Sequence, residues 1–571
     1  MRNPGRLLLV AGLLGIAACS KPQIEGVDSL YLNGAIYTLN GKMPWAEAVA
    51  VTDGEIVYVG TGVGAEALVG ENTRRHDLAG RMMLPGFIDS HMHPIMGGGY
   101  AQALSLDTFG TVDDWVAAIG DYAQDNPDAE VLFGYGFLAT TFGPEGPTRQ
   151  LIDAIESERP VLIVDEGFHA AWANSKTLDV LGVTQDTQDP VPGFSYYKRD
   201  ANGDATGYLL EGTATAAMES LDVINEQTLV EGTAIVFDIM NSYGITAAFD
   251  AGIFNAAELA PRVLDRIVAD GEMTVRYVGS HAVAEADQFK AALDDIIRIK
   301  AETHTEDYHF RVLKIMDDGT VEGRTAAMFE DYQGEPGNSG ETVFTESQLA
   351  FMVLGAASQG TDVHIHALGE RAIHEALNAI ETARRHKPDT PSRFTICHIQ
   401  VITDEDLPRF AELDVIAQST PLWAAYDQYG KQFVSDDQFN RFWRYMSLKE
   451  SGARLTFGSD FPASGAGTLG ISPLFNIQIG HTRQAPGEED KYPIQPRESE
   501  RLDIDTLIRG YTINGAWQLR MEDEIGSIEV GKKADLVVLD RNLFAVDSHD
   551  IHKVQVDMTI MNGDIVYARD Q

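Results

Sequence analysis

Cysteine is nearly missing from this chain: its 571 residues include two, Cys19 and Cys397. A disulfide-rich scaffold is thereby excluded, as is a structural zinc site of several cysteines. Positive charge is also scarce. Lys and Arg total 43 against 86 Asp and Glu, a formal net charge of −43. A surface that acidic repels phosphate backbones and anionic headgroups, so nucleic acid is not an expected partner. Long apolar runs are lacking too. Leu7 to Ala18 is twelve residues without a charge, short of the roughly 20 that a helix needs to cross a bilayer. No internal repeat or low-complexity tract stands out. What remains is 44% hydrophobic and 23% charged, ample for a core and unlike a disordered or collagen-like chain.

The apolar run follows Arg2 and Arg6 and ends in Ile16-Ala17-Ala18-Cys19. A positive start, a short apolar stretch and small residues fit an export signal. The ending resembles the bacterial lipobox, in which the cysteine receives lipid; a plain secretory signal with an incidental Cys19 is the alternative. Ser20 rather than Asp follows, which by the same resemblance suggests release toward an outer membrane. The expectation is a protein exported to the bacterial cell envelope and touching membrane only through lipid at Cys19. Residues 1–18 are read as signal and 19–26 as tether.

Residues 27–84 read as short strands with Asn-Gly and Asp-Gly turns, and 523–571 has the same texture. Neither piece can bury both faces of a sheet alone, so the two ends are expected to form one small β-sandwich domain. Between them, in 85–522, apolar β-branched runs alternate with helical stretches. The strand candidates are MLPGFIDSH, ITAAFDAG, FRVLKIMDDG, TDVHIHALG, RFTICHI, DVIAQSTP and RLTFGSD. That alternation predicts an α/β fold, a parallel sheet closed into a (β/α)8 barrel. Residues 100–230 exceed what one such unit needs and are read as an insertion near the barrel mouth.

The chemistry-bearing residues share one setting, the C-terminal end of a strand before a turn. His91 and His93 close GFIDSHMHP; residues two apart on a strand face one side, roughly 6–7 Å apart along the chain, so both imidazoles can converge on an ion. Two solvated histidines in a turn would look the same. His366 and His398 each end an apolar run. His364 shares a face with His366 but lies deeper, as a core or supporting histidine. Cys397, next to His398, is expected on the opposite face, packed toward the helices. Lys314 sits inside an apolar strand, where an ammonium is costly unless paired or neutralised. Pairing with Asp317 or Asp318 is one escape; carboxylation to a metal-bridging carbamate is another. Asp460 ends RLTFGSDFP, where it could bind metal and accept a proton from water or simply form a turn.

In chain order these residues run His-x-His, Lys, His, His, Asp, which resembles the ligand order of the amidohydrolase superfamily. The chain is similar to its amidohydrolase-3 branch, the YtcJ-like and N-substituted formamide deformylase-like proteins. The segments carrying this are LPGFIDSHMHP, GFHAAWANSKTL, GYLLEGTA, LKIMDDGT, HIHALGERA, CHIQVITDEDLPRFAEL, FGSDFP, YTINGAWQL and IGSIEVGKKADLVVLD. The resemblance implies a distorted TIM barrel beside a β-sandwich from both chain ends. It implies a divalent metal, zinc foremost, at one or two ions per chain. His91 and His93 would hold the more buried ion, Lys314 as carbamate would bridge, His366 and His398 would hold the second, and Asp460 would complete the set. Two departures stand out: Glu370 replaces an Asp and is read as structural, and Phe461-Pro462 follow Asp460 where smaller residues are usual, altering the pocket near Phe461.

The implied chemistry is attack of a metal-bound hydroxide on an amide-type carbonyl, with Asp460 moving the proton to the leaving nitrogen. His398, or His169 from the insertion, would help hold the substrate, although His169 could equally pack beside Trp172. The expected activity is hydrolysis of a non-peptide carbon–nitrogen bond in a small molecule. An ester or lactone hydrolase and a non-catalytic small-molecule-binding lipoprotein are the alternatives. A homo-oligomer is left open.

Overall fold

Runs of apolar residues buried on both faces demand cover above and below, and that cover is supplied by parallel strands alternating with helices. The structure, a computed structural model, describes residues 26–569 apart from 109, 144, 169, 191–194, 254–258, 304, 306, 426–427 and 495. Cys19 and His169 lie outside the described residues. The central sheet has eight strands: β1 (Phe87–Met92), β2 (Ile245–Asp250), β3 (Arg276–Val283), β4 (Tyr308–Met316), β5 (Asp362–Ala367), β6 (Phe394–His398), β7 (Val415–Ser419) and β8 (Arg454–Phe457). They follow one another in sequence order and every neighbouring pair is parallel. Every residue of β1, β2, β5, β6 and β7 is buried.

The sheet is a nearly closed barrel. Just beyond β8, the Asp460 N–H donates to the His91 carbonyl at 2.8 Å and the Ser459 N–H donates to the Asp89 carboxylate at 3.1 Å. At the seam Gly458 runs so close to β1 that a Cβ there would lie 2.5 Å from the His91 nitrogen. A side chain is therefore excluded where the barrel meets itself.

Two expectations are corrected here. The eighth strand, β3, was absent from the sequence candidates, because Gly279, Ser280 and His281 interrupt its apolar character. Gly279 has a structural reason, since a Cβ would meet the Phe310 ring of β4 at 2.6 Å. The segment MLPGFIDSH is two strands rather than one. Met82–Pro85 pairs antiparallel with Leu536–Leu539 in a sheet made from both chain ends, and the chain passes Gly86 before entering β1.

That outer sheet has eight strands, including Ser29–Tyr37, Trp45–Thr52 and Glu55–Gly60 from one end and Val556–Met561 and Asp564–Ala568 from the other. Between β1 and β2 the chain builds a third sheet of six strands, from Leu104–Ser105 to Ala205–Leu210. Tyr100, Phe133, Leu162 and Leu209 form its core, with Met96 and Phe168 packed against them. Met96 lies in the helix Pro94–Gly98 directly after His93, so the inserted unit leans on the segment that carries the His-x-His pair.

Inside the barrel, Ile88, Ala247, Phe249, Val278 and Val312 pack with Ala516, Leu519 and Met521. The His364 ring lies 4.8 Å from that of Phe249. This apolar plug fills the barrel beneath the polar residues.

Candidate metal centre

The two-residue period of β1 puts His91 and His93 on one side, and both are buried together with Asp89, beyond which the register of β1 against β2 shifts. His93 Nε2 lies 3.1 Å from Asp460 Oδ1 and His91 Nε2 lies 3.3 Å from the same atom. The other ring nitrogens are fixed from behind: His91 Nδ1 meets His364 Nε2 at 3.0 Å, and His93 Nδ1 meets the Gly252 carbonyl at 2.8 Å. Each ring therefore turns Nε2 to the centre, the usual way a supporting partner orients a metal-binding imidazole.

His366 at the end of β5 and His398 at the end of β6 complete the ring cluster. His398 sits 4.5 Å from His366 and 4.8 Å from His91, centroid to centroid. His366 Nε2 and His398 Nδ1 are buried without a hydrogen-bond partner among the described residues. Their nearest carboxylate oxygens are Asp318 Oδ1 at 3.7 Å and Asp460 Oδ2 at 3.9 Å.

Burial, then the Lys314 charge, pushes the His91 imidazole down to about 4 and that of His366 to about 3. His398 is held well below its ordinary value by burial and then by His366. Neutral imidazoles are the form that ligates metal. Burial also acts on Asp460, pushing its carboxyl up, but His91, His93 and His398 outweigh it and keep the group well below the usual carboxylate range.

Two groups of donor atoms each lie within 4.8 Å of one another: His91, His93 and Asp460, and His91, Cys397 and His398. Imidazole, carboxylate and thiol together suit a divalent transition metal. The orphaned nitrogens of His366 and His398 fit the same purpose, since a cation supplies the partner that the protein does not.

The structure brings together His91, His93, Lys314, His366, His398 and Asp460. His364 stands behind His91 and outside both donor groups. Lys314 is 1% exposed, and no ion pair among the described residues joins it to Asp317 or Asp318. Its Nζ instead donates to Cys397 Sγ at 3.2 Å. Asp318 accepts from the Ala327, Leu368 and Gly369 N–H groups, tying the loops after β4 and β5 together.

The expected outward packing of Cys397 is therefore corrected: its sulfur faces the centre. Strand alternation fails because His398 has φ 73° and Ile399 φ 54°. The left-handed turn swings the His398 ring back beside its neighbour's side chain instead of opposite it.

Phe461 is 2% exposed, and its ring packs so closely on Gly97 that a Cβ there would lie 2.2 Å from Phe461 Cε1. Glu370 is also buried, and it pairs with Arg441. Trp423 stands 5.6 Å from the His398 ring.

Sequence reasoning missed Asp89. Its carboxylate accepts from the His91 N–H and the Ser459 N–H, both at 3.1 Å, and so joins β1 to the turn that carries Asp460. Burial pushes it up to about 7. A carboxylate inside an otherwise apolar strand was the available signal.

Comparison with known proteins accords with this geometry. The putative amidohydrolase YtcJ of Bacillus subtilis is 28% identical over 95% of this chain and 100% of its own length. The N-substituted formamide deformylase of Arthrobacter pascens is 26% identical over 95% of this chain and 98% of its own. A metal-dependent hydrolase of uncharacterised function from Pyrococcus horikoshii shares the fold, with TM-score 0.72 and 22% identity over 91% of this chain and 99% of that one. The model of the amidohydrolase family matches residues 75–567. The chain belongs to the amidohydrolase family and is a metal-dependent hydrolase.

Proposed function

We propose that this hydrolase cleaves a non-peptide carbon–nitrogen bond of a small molecule, an N-formyl or N-acyl amide, with one or two zinc ions. The observation that carries the metal reading is the pair of buried, unpartnered nitrogens, His366 Nε2 and His398 Nδ1, beside the His91, His93 and Asp460 set. The full-length similarity to a formamide deformylase supports the choice of bond.

His91, His93, His366, His398 and Asp460, with Lys314 as a carbamate, would hold the metal. A divalent cation in such a site lowers the pKa of water and polarises a carbonyl oxygen. The chain's own residues supply the rest. Asp460 accepts a proton from the attacking water and returns it to the leaving nitrogen, so that an amine departs instead of an amide anion. His398 orients the carbonyl, and the adjacent Trp423 indole, 5.6 Å from its ring, gives the substrate an apolar wall. Beneath them Phe249 and its neighbours keep water out of the barrel from below.

Metal analysis of the purified protein should find one to two divalent ions per chain. A panel of formamides, N-acyl amino acids, ureas, lactones and esters then tests the bond: fastest turnover of an amide is expected. Activity in a metal-free protein, or esters and lactones turned over while every amide is refused, overturns the reading. Lys314→Ala should lose activity that short carboxylic acids partly restore, and a loss that no acid restores removes the carbamate.

Export and lipidation at Cys19 belong to the same proposal, supported by the Ile16-Ala17-Ala18-Cys19 sequence. Radiolabelled palmitate should enter the wild type and not Cys19→Ser; equal labelling of both removes the anchor. No helix among the described residues is long and apolar enough to cross a membrane.

A further inference from the structure

The sulfur of Cys397 is the one donor in the cluster that the resemblance did not assign to the metal. Its side chain is fully buried, and Sγ lies within 4.8 Å of donor atoms of His91 and His398. A second observation points at a ligand in the same place: His398 Nδ1 is buried with no hydrogen-bond partner among the described residues. The thiol is not there as one half of a disulfide, because Cys397 is a free cysteine. Strand register places the thiol there, since Cys397 lies opposite His366 of β5. The left-handed backbone at His398 then brings its ring to the same side, where alternation alone would have sent it to the helices.

We propose that Cys397 is a metal ligand, giving the centre a sulfur donor beside the imidazoles of His91 and His398. The inference rests on the metal reading above and adds a donor to it. On binding, the S–H bond breaks, its proton leaves to water, and a sulfur–metal bond forms; no oxidant or reductant is needed. Zinc accepts Cys, His and Asp together, so the mixed set is chemically coherent. Soft thiolate also shifts the preference of the site toward zinc and away from magnesium or calcium.

Lys314 finds a role in the same arrangement. Its Nζ donates to Sγ at 3.2 Å, and one N–H remains whether the lysine is an ammonium or a carbamate. That bond steers the sulfur. Lys314 is thus a positioning residue for the sulfur in addition to any bridging role.

The test uses the full chain loaded with cobalt(II), whose spectrum separates sulfur from nitrogen and oxygen donors. The wild type should show an intense near-ultraviolet sulfur-to-cobalt charge-transfer band together with visible d–d bands. Cys397→Ala should lose the charge-transfer band and retain visible bands from the remaining ligands. Cys397→Ser, closer in size, repeats the test should the alanine variant fold poorly, with circular dichroism to confirm the fold. Cys19→Ser should keep the band. Cobalt bound by the wild type without the band, or a band that survives in both Cys397 variants, overturns sulfur ligation and leaves the metal reading standing. A folded wild type that takes up no cobalt overturns both.

Discussion

The metal centre has two corners that differ in how far the protein satisfies itself. At the β1–β8 corner, His91, His93 and Asp460 already contact one another, and Asp89, His364 and the Gly252 carbonyl hold them from behind. At the β5–β6 corner, His366 Nε2 and His398 Nδ1 are equally buried and have no hydrogen-bond partner among the described residues. A buried polar atom left unpaired costs roughly 1–3 kcal/mol. The first corner is therefore a self-supporting network, and the second acquires its missing interactions from a ligand. Fold and function draw unequally on the two: the first helps close the barrel, whereas the second serves the cation.

The contrast can be broken most decisively at Asp460. Asp460→Asn should lower kcat by about 10²–10⁴-fold, the usual scale for losing a general acid–base, while circular dichroism stays unchanged. Wild-type turnover would remove the proton-transfer role.

Next in size is the difference between corners. His366→Leu should lose bound metal but leave the metal-free protein as stable as the wild type, or about 1 kcal/mol more stable, since an unpaired polar group is replaced by an apolar one. His93→Leu should destabilise the metal-free protein by roughly 1–3 kcal/mol, because Asp460 and the Gly252 carbonyl lose a partner. Urea unfolding of both variants after chelation reads the contrast, and equal stabilities would erase it.

Chelation itself comes third. At free metal near 100 times Kd, binding adds about 2.7 kcal/mol of stability, so a chelator should lower the melting temperature of the wild type. The drop should be smaller for His366→Leu. An identical drop in the two proteins would assign the metal wholly to the first corner.

The smallest effect expected is at Asp89. Asp89→Asn keeps an acceptor and the shape of the group but weakens two buried hydrogen bonds, a loss of about 1 kcal/mol. It should raise KM or lower kcat modestly without removing metal; a complete loss of metal would make Asp89 itself a ligand.

The sequence carried the first corner more clearly than the second. His91 and His93 obey the two-residue rule of a strand, and Asp460 ends an apolar run, so pattern alone finds them. His366 and His398 are found the same way, but the face of Cys397 is not, because a positive φ at His398 overrides alternation. Asp89 was overlooked, since a carboxylate inside an apolar strand draws less notice than paired histidines. β3 was hidden by Gly279, whose value lies in making room for Phe310, a contact that no local pattern records. The inserted sheet was legible only as excess length: its strands are short, some of two to four residues, and separated by turns.

The outer sheet sets an order of events for the ribosome. Met82–Pro85 must pair with Leu536–Leu539, a partner made about 450 residues later. At roughly 5–20 residues per second, that is a wait of about 20–90 s. Throughout it, an apolar strand directly ahead of His91 has no neighbour on that side. The first strand of the barrel and the strand that leads into it thus cannot reach their final setting until the chain is almost complete. A nascent chain so slow to finish its fold is one that a chaperone can hold open for as long as it emerges.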